Sequence, residues 1–112
     1  LDVPEIVRAV TEGSARPSRS PIPPSSPFNT EDMLRVPARD LAEARRLARE
    51  AGYRGQQLRI VTTRRFEAFF EIAVAVQDML RDAGINSEIE VVEWATQLDR
   101  YNRGDFQLMA FG

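Results

Sequence analysis

The sequence predicts an α/β fold built on three parallel strands in the order 2-1-3. From Asp40 onward, short runs of β-branched and apolar residues alternate with longer runs in which apolar residues recur at helical spacing. Glycines follow the helical runs, at Gly52, Gly84 and Gly104. Strands that alternate with helices in this way form parallel sheets with right-handed crossovers.

The amino-terminal third combines one short helix with a long proline-rich loop. Residues 1–12 have a narrow apolar stripe and carry Pro4 in the first turn, where proline is tolerated. Residues 13–39 are dense in proline and serine, which excludes long helices and central strands. This stretch is either a flexible linker or an ordered loop that packs along a surface. Its apolar residues, such as Phe28 and Leu34, favour the ordered loop, since a pure linker would not carry them.

The α/β core begins with a helix over residues 40–52, where Asp40 is the expected N-cap and Glu43 completes a capping-box pattern. The other predicted elements are a strand over 57–63, a helix over 65–84, a strand over 87–94, a helix over 96–102 and a strand over 106–111.

The chemistry of the strands indicates their order. Residues 88–94 alternate apolar and charged side chains, as edge strands do, whereas 58–63 and 107–111 are more continuously apolar and are predicted to be central. The order 2-1-3 places a topological switch point between the first and third strands. Ligands of open α/β sheets bind at the carboxyl ends of such strands, which here are TTRR at 62–65 and AFG at 110–112.

Composition argues against several function classes. The 15 basic residues are all arginine, histidine and cysteine are absent, and the formal net charge is -2. A nucleic-acid partner would require a basic excess, and zinc or copper sites require histidine or cysteine. The sequence also lacks the glycine-rich nucleotide fingerprints and a nucleophile elbow. We therefore expect no enzyme activity, cofactor, metal site or nucleic-acid partner.

Several stretches together resemble one family. They are LDVPEIVRAV at 1–10, SPIPPSSPF at 20–28, DLAEARRLAREAGY at 40–53, LRIVTT at 58–63 and the block from VQDML at 76 to MAFG at 112. In these stretches the chain resembles the bacterial extracellular solute-binding proteins of family 5, the peptide- and nickel-binding receptors of ABC importers. The resemblance covers essentially all 112 residues in the same order.

The resemblance implies part of a type II periplasmic-binding-protein fold, in which two lobes close on a ligand. Residues 1–39 would be the helix and proline-rich loop, and 40–112 the α/β core, of an incomplete carboxyl-terminal lobe. Further ligand contacts are expected beyond Gly112. The implied function is the substrate-binding component of an ABC importer, which captures a peptide or similar small solute and delivers it to a membrane permease. The implied location is periplasmic or extracytoplasmic, with a lipoprotein anchor in the parent protein as one option.

The candidate ligand-binding residues lie near the strand ends. They are Thr62, Thr63, Arg64, Trp94 and Phe111. Hydroxyls and a guanidinium could hold a peptide carboxylate or backbone; alternatively, the threonines begin a turn and the arginine is solvated. The tryptophan, expected to end the edge strand, either stacks on a ligand or packs under the next helix. The phenylalanine contacts a ligand or packs in the core, and Gly112 after it would allow close approach to the backbone.

Two other hypotheses remain. A stand-alone flavodoxin-like regulatory domain would show the same strand–helix alternation. A receiver domain, however, needs acidic residues after its first strand and an aspartate that ends a later one, and TTRR and AFG supply neither. The third hypothesis is that these residues have no role of their own and that only the parent protein binds a ligand.

Overall fold

The computed structural model describes residues 1–111 and divides the chain into two compact units, Leu1–Arg39 and Asp40–Gly112. The elements are, in chain order, α1 Val3–Thr11, α2 Glu31–Leu34, α3 Leu41–Glu50, β1 Leu58–Thr62, α4 Glu67–Asp82, β2 Ser87–Val91, α5 Trp94–Arg103 and β3 Leu108–Met109. Within residues 1–111, every helix is too short or too polar to cross a bilayer.

The first unit contains α1, the proline-rich loop and α2. The side chain of Asp2 caps α1 by accepting a hydrogen bond from the backbone of Glu5 at 3.0 Å. The loop is ordered by its own hydrogen bonds, since Asn29 Nδ2 donates to the carbonyl of Ile22 at 2.8 Å. Phe28 nevertheless remains 78% exposed. The single turn of α2 had no counterpart in the sequence prediction, because proline and serine dominate the residues around it.

The second unit opens with α3, whose ends follow the predicted signals. Asp40 Oδ1 accepts a hydrogen bond from the backbone N–H of Glu43 at 2.9 Å, which satisfies one donor of the first turn. At the other end Gly52 adopts a φ of +75°, and the N–H of Tyr53 reaches back to the carbonyl of Ala48 at 2.9 Å. This left-handed glycine closes the helix, as the sequence predicted.

The sheet confirms the predicted topology. All pairings are parallel and the order is β2-β1-β3, with Ile60 opposite Ile89 on one side and Leu108 on the other. As predicted, β1 is central and β2 is an edge strand. Among the described residues β3 pairs on one side only, so the expectation of a second central strand is not met within this sheet.

Two strands are shorter than predicted. β2 ends at Val91 because its partner β1 ends at Thr62, and the last bond between the two segments runs from the N–H of Val92 to the carbonyl of Thr62 at 2.9 Å. The backbone stays extended through Glu93, and Trp94 then starts α5. The prediction that Trp94 ends the edge strand is therefore wrong. β3 pairs with β1 through only two residues, not the six expected from its apolar pattern.

The helices α4 and α5 cover opposite faces of the sheet. On one face Ile60 and Ala110 pack with Ala73 of α4 in the buried core. Successive strand residues point to opposite faces. Ile89 belongs to the α4 side, whereas its neighbour Glu90 binds α5. The alternation of the strands therefore places α4 and α5 on opposite sides.

Candidate functional site

An open cavity lies at the carboxyl ends of β1 and β2. Its volume is about 560 Å³, and its lining consists of Thr63, Arg64, Arg65, Val91, Val92, Glu93 and Trp94. Parallel strands present their carboxyl ends at one edge of the sheet, and loops that leave this edge form the ligand sites of open α/β proteins. The cavity thus lies at the expected edge, although between the first and second strands rather than the first and third.

The two candidate threonines are both inaccessible to solvent but differ in their bonding. Thr62 is fully buried, and its hydroxyl has no hydrogen-bond partner within residues 1–111. Thr63 is 2% exposed, and its hydroxyl accepts a hydrogen bond from the backbone N–H of Arg65 at 3.2 Å. Thr63 therefore shapes the turn that leads out of the strand. Thr62, the last residue of β1, lies outside the cavity lining.

Two exposed arginines at the cavity stack on rings of α4 and of the residue that precedes it. The guanidinium carbon of Arg64 lies 3.8 Å from the ring centre of Phe70, and that of Arg65 lies 5.7 Å from the ring centre of Phe66. Neither arginine pairs with a carboxylate in the described part of the chain. A ring that supports the face of a guanidinium leaves its in-plane N–H groups available for a planar anion such as a carboxylate.

Aromatic rings cluster beside the cavity. The ring of Trp94 meets Phe66 edge-on at 5.2 Å and stacks on Phe111 at 5.6 Å, while Phe111 also stacks on Tyr101 at 4.9 Å. Trp94 thus packs among aromatic side chains and lines the cavity at the same time. Phe111 is 38% exposed but is not among the cavity residues. Gly112 lies outside the described residues.

One buried residue near the site has no counterpart in the sequence prediction. Gln97 of α5 is fully buried, and its Nε2 donates a hydrogen bond to the carbonyl of Ala110 at 2.8 Å. Its Oε1 has no partner among residues 1–111. A glutamine on a short helix rich in polar residues looks like a surface residue, so no sequence signal indicated this contact. The cavity residues Arg65 and Glu93 were also missed as candidates.

An ion pair ties β2 to α5 on the face away from α4. Arg100 donates two hydrogen bonds to the carboxylate of Glu90, at 2.8 and 2.9 Å. These hydrogen bonds lower the pKa of Glu90 below its ordinary value of 4.5, although partial burial opposes them. Both side chains are less than one-third exposed, and Arg59 lies 3.5 Å from the same carboxylate. The pair thus joins α5 to β2, the strand that leads into the carboxyl-edge cavity.

Other cavities are present at the amino ends of the strands. One of about 530 Å³ is bordered by Arg59, Arg100 and Asp105, and the guanidinium groups there are already engaged by Glu90. Both guanidinium groups that border this cavity therefore already have a carboxylate partner, unlike the arginines at the carboxyl edge. No group of three acidic, histidine or cysteine side chains within residues 1–111 is arranged to hold a metal ion.

The family comparison identifies a match over the whole chain. The model described as "Bacterial extracellular solute-binding proteins, family 5 Middle" matches residues 1–112. No curated protein matches the sequence.

Solved structures of binding proteins share the fold. The oligopeptide-binding protein AppA from Bacillus subtilis, in complex with a nonapeptide, is 25% identical with a TM-score of 0.83, over 99% of this chain and 25% of that chain. DppA from Helicobacter pylori, in complex with the peptide STSA, is 30% identical with a TM-score of 0.76, over 97% of this chain and 21% of that one. AgaA from A. tumefaciens R10, in complex with agropinic acid, is 22% identical with a TM-score of 0.84, over 99% of this chain and 23% of that one.

These likenesses concern one portion of larger proteins, since the chain spans about a quarter of the length of the solved structures it matches. Family and structural neighbours are solute-binding proteins, and the neighbours have type II periplasmic-binding-protein folds.

Proposed function

Because the chain belongs to the bacterial extracellular solute-binding proteins, family 5, we propose that it forms part of the substrate-binding component of an ABC importer. The parent protein captures a peptide or a similar small solute between two lobes and delivers it to a membrane permease. The observation that carries this proposal is the family match over all 112 residues. The match supports this function over that of a flavodoxin-like regulatory domain.

In this proposal residues 1–39 and 40–112 belong to the carboxyl-terminal lobe, and the carboxyl edge of the sheet faces the ligand. The two lobes close because a ligand that touches both of them binds the closed state more tightly than the open state. Binding therefore shifts the equilibrium towards the closed state. The cavity beside Arg64 and Trp94 is the part of that surface contributed by this chain.

The arrangement of the arginines supports a solute that carries a carboxylate. Arg64 is held against a ring and has no acidic partner among the described residues, so its charge remains available for a ligand. Charge-assisted hydrogen bonds between a guanidinium and a carboxylate are stronger than neutral ones. Of the other candidates, Thr63 and Trp94 line the same cavity, and the indole ring of Trp94 provides apolar contact. Thr62 and Phe111 lie outside the lining, so in this proposal they support the site without touching the ligand.

A peptide is the solute class we propose. Structural neighbours were solved with a nonapeptide and with the peptide STSA, and another with Ni(L-His)2. Peptides combine a terminal carboxylate with apolar side chains, which suits an arginine next to aromatic rings. We propose a periplasmic or extracytoplasmic location because the family consists of extracellular binding proteins. A lipoprotein anchor in the parent protein would be compatible with that location.

A thermal-shift screen of the full-length protein tests this proposal. The probes are the tetrapeptide Ser-Thr-Ser-Ala, a nonapeptide and nickel with L-histidine. A ligand that binds only the native state raises its stability by about 2.7 kcal/mol at a concentration of 100 Kd. We expect a rise in Tm with at least one peptide. A rise with the nickel complex alone would contradict the peptide proposal, and no rise with any probe would contradict the proposed capture of these solutes.

A further inference from the structure

Gln97 makes a contact that joins α5 to Ala110, the residue that follows β3. The regular pairing of β3 ends at Met109, yet the next residue, Ala110, is held on both sides. Its N–H donates to the carbonyl of Val61 in β1 at 3.0 Å, and its carbonyl accepts from Gln97 Nε2 at 2.8 Å. The side chain of Gln97 therefore takes over from the sheet where strand pairing stops, immediately before Phe111.

The same side of α5 also holds the aromatic rings. Trp94, Gln97 and Tyr101 are spaced by three and four residues, so they lie along one face of the helix. Phe111 stacks on the first and the last of these residues, at 5.6 Å and 4.9 Å between ring centres. The amide contact thus lies between two ring contacts, and all three hold the segment 110–111 against α5.

We propose that Gln97 is a positioning residue for the ligand site, a role that rests on the proposed function. Its amide sets the backbone at Ala110 so that Phe111 stacks on Trp94 and keeps the indole at the wall of the carboxyl-edge cavity. Gln97 itself does not line this cavity. Its effect on a ligand is indirect and passes through the position of the indole ring.

Because the side-chain oxygen of Gln97 has no hydrogen-bond donor in the described part of the chain, the proposed role can be tested by a substitution whose effect depends on pH. Gln97 Oε1 is buried and has no donor within residues 1–111. In the variant Gln97→Glu, a carboxylate would repel the carbonyl of Ala110 and would lack a donor for its second oxygen. Glu93 immediately precedes α5, and Arg100, one turn after Gln97, is already bound to Glu90. Burial and this arrangement raise the pKa of the introduced carboxyl, and its protonated form can again donate to Ala110.

The chain supplies a matched control in Gln77 of α4. Its Nε2 also donates to a strand carbonyl, that of Ser87, at 3.1 Å. Ser87 is the first residue of β2, at the amino edge and away from the cavity. Gln77→Glu therefore removes the same kind of bond without touching the segment that positions Trp94.

The test combines two measurements on the full-length protein. First, 5-fluorotryptophan is incorporated, and the 19F resonance of Trp94 is assigned by its loss in Trp94→Phe. Second, affinity for Ser-Thr-Ser-Ala is measured by calorimetry at about pH 7.5 and about pH 5, each variant against the wild type at the same pH. We expect Gln97→Glu to shift the Trp94 resonance and weaken binding roughly tenfold at the higher pH, with partial recovery of both at the lower pH. The apolar variant Gln97→Met should show the defect at both pH values.

The outcomes separate this inference from the proposed function. If Gln97→Glu leaves the Trp94 resonance unchanged, or if Gln77→Glu shifts it equally, Gln97 is not a positioning residue. If the resonance moves and recovers as expected but the wild type binds no peptide, the positioning contact is real and the peptide proposal is wrong. If the resonance moves while peptide affinity is unchanged, the indole position does not matter to the ligand and the inference is overturned. Should Gln97→Glu fail to fold, Gln97→Met decides by the same two measurements.

Discussion

At the scale of single residues, partnerships distinguish the groups available to a ligand from those that hold the fold. Arg64 and Arg65 stack on rings and have no acidic partner among the described residues, whereas Arg100 binds Glu90 through two hydrogen bonds. Residue type alone could not separate these arginines, because all carry the same charge and the same donors. Their roles follow from what folding places beside them.

The pair of Glu90 and Arg100 predicts a pH-dependent contribution to stability. Because the pair lowers the pKa of Glu90, its stabilisation is fully present above the ordinary value of 4.5 and is lost as pH falls through the lowered pKa. The Tm of the full-length protein should therefore be lower in Glu90→Gln than in the wild type at neutral pH. This difference should shrink as the pH falls below 4.5 and through the lowered pKa of Glu90.

The control for this prediction is Asp78→Asn, which removes an exposed pair with Arg81 on one helix. Exposed pairs contribute little, so this variant should stay close to the wild type throughout. A Tm difference for Glu90→Gln that stays constant from neutral to acid pH would contradict the assigned role of the ion pair.

At the scale of elements, local signals predicted helix ends better than strand ends. Asp40, Gly52 and Gly84 mark helix boundaries because capping and left-handed backbone depend on nearby residues only. The end of β2 depends instead on where its partner β1 ends, and the sequence of β2 carries no signal for that position. The alternating pattern of residues 88–94 therefore led to a strand three residues too long, and Trp94 was placed on the wrong element.

The cap of α3 gives a prediction for one element. Asp40→Ala removes the acceptor for the N–H of Glu43 and should destabilise the protein by about 1 kcal/mol. Asp40→Asn retains a side-chain oxygen and should lose much less, so it serves as the control. Chemical denaturation of the full-length protein measures the free energy of unfolding of both variants. Equal losses in the two variants would show that the charge, and not the hydrogen bond, accounts for the effect.

The central strand gives a second prediction at this scale. Ile60 is 2% exposed and packs against α4 in the core. Ile60→Ala should destabilise the protein by about 2 to 5 kcal/mol, since it removes buried methyl groups and leaves a cavity. Leu47→Ala on α3 is the comparison, because this leucine is 50% exposed and should cost far less. Similar losses at the two positions would contradict the assignment of the core.

At the scale of the whole molecule, the sheet order was predictable and the site only in part. Strand–helix alternation and right-handed crossovers fix the parallel arrangement, and the charged pattern of residues 87–91 indicates an edge. The carboxyl edge was therefore the expected place for a cavity. The contact between Gln97 and Ala110 could not be predicted, because it depends on three-dimensional proximity across 13 residues and not on a sequence pattern.

In the proposed function, this edge of the sheet contributes the guanidinium of Arg64 to a carboxylate-bearing solute. This role predicts an interaction between the side chain of Arg64 and the terminal carboxylate of the ligand. The ligands are Ser-Thr-Ser-Ala with a free carboxyl terminus and the same tetrapeptide with an amidated terminus. The proteins are the full-length wild type and Arg64→Gln, with Arg49→Gln on the exposed side of α3 as the control.

Calorimetric affinities of these pairs form a double-mutant cycle that tests this role of Arg64 most directly. We expect amidation to weaken binding to the wild type and to Arg49→Gln by about tenfold or more, and to have little effect on Arg64→Gln. An equal loss on amidation in all three proteins would show that the carboxylate is bound elsewhere, and would contradict the role assigned to the carboxyl edge of this sheet.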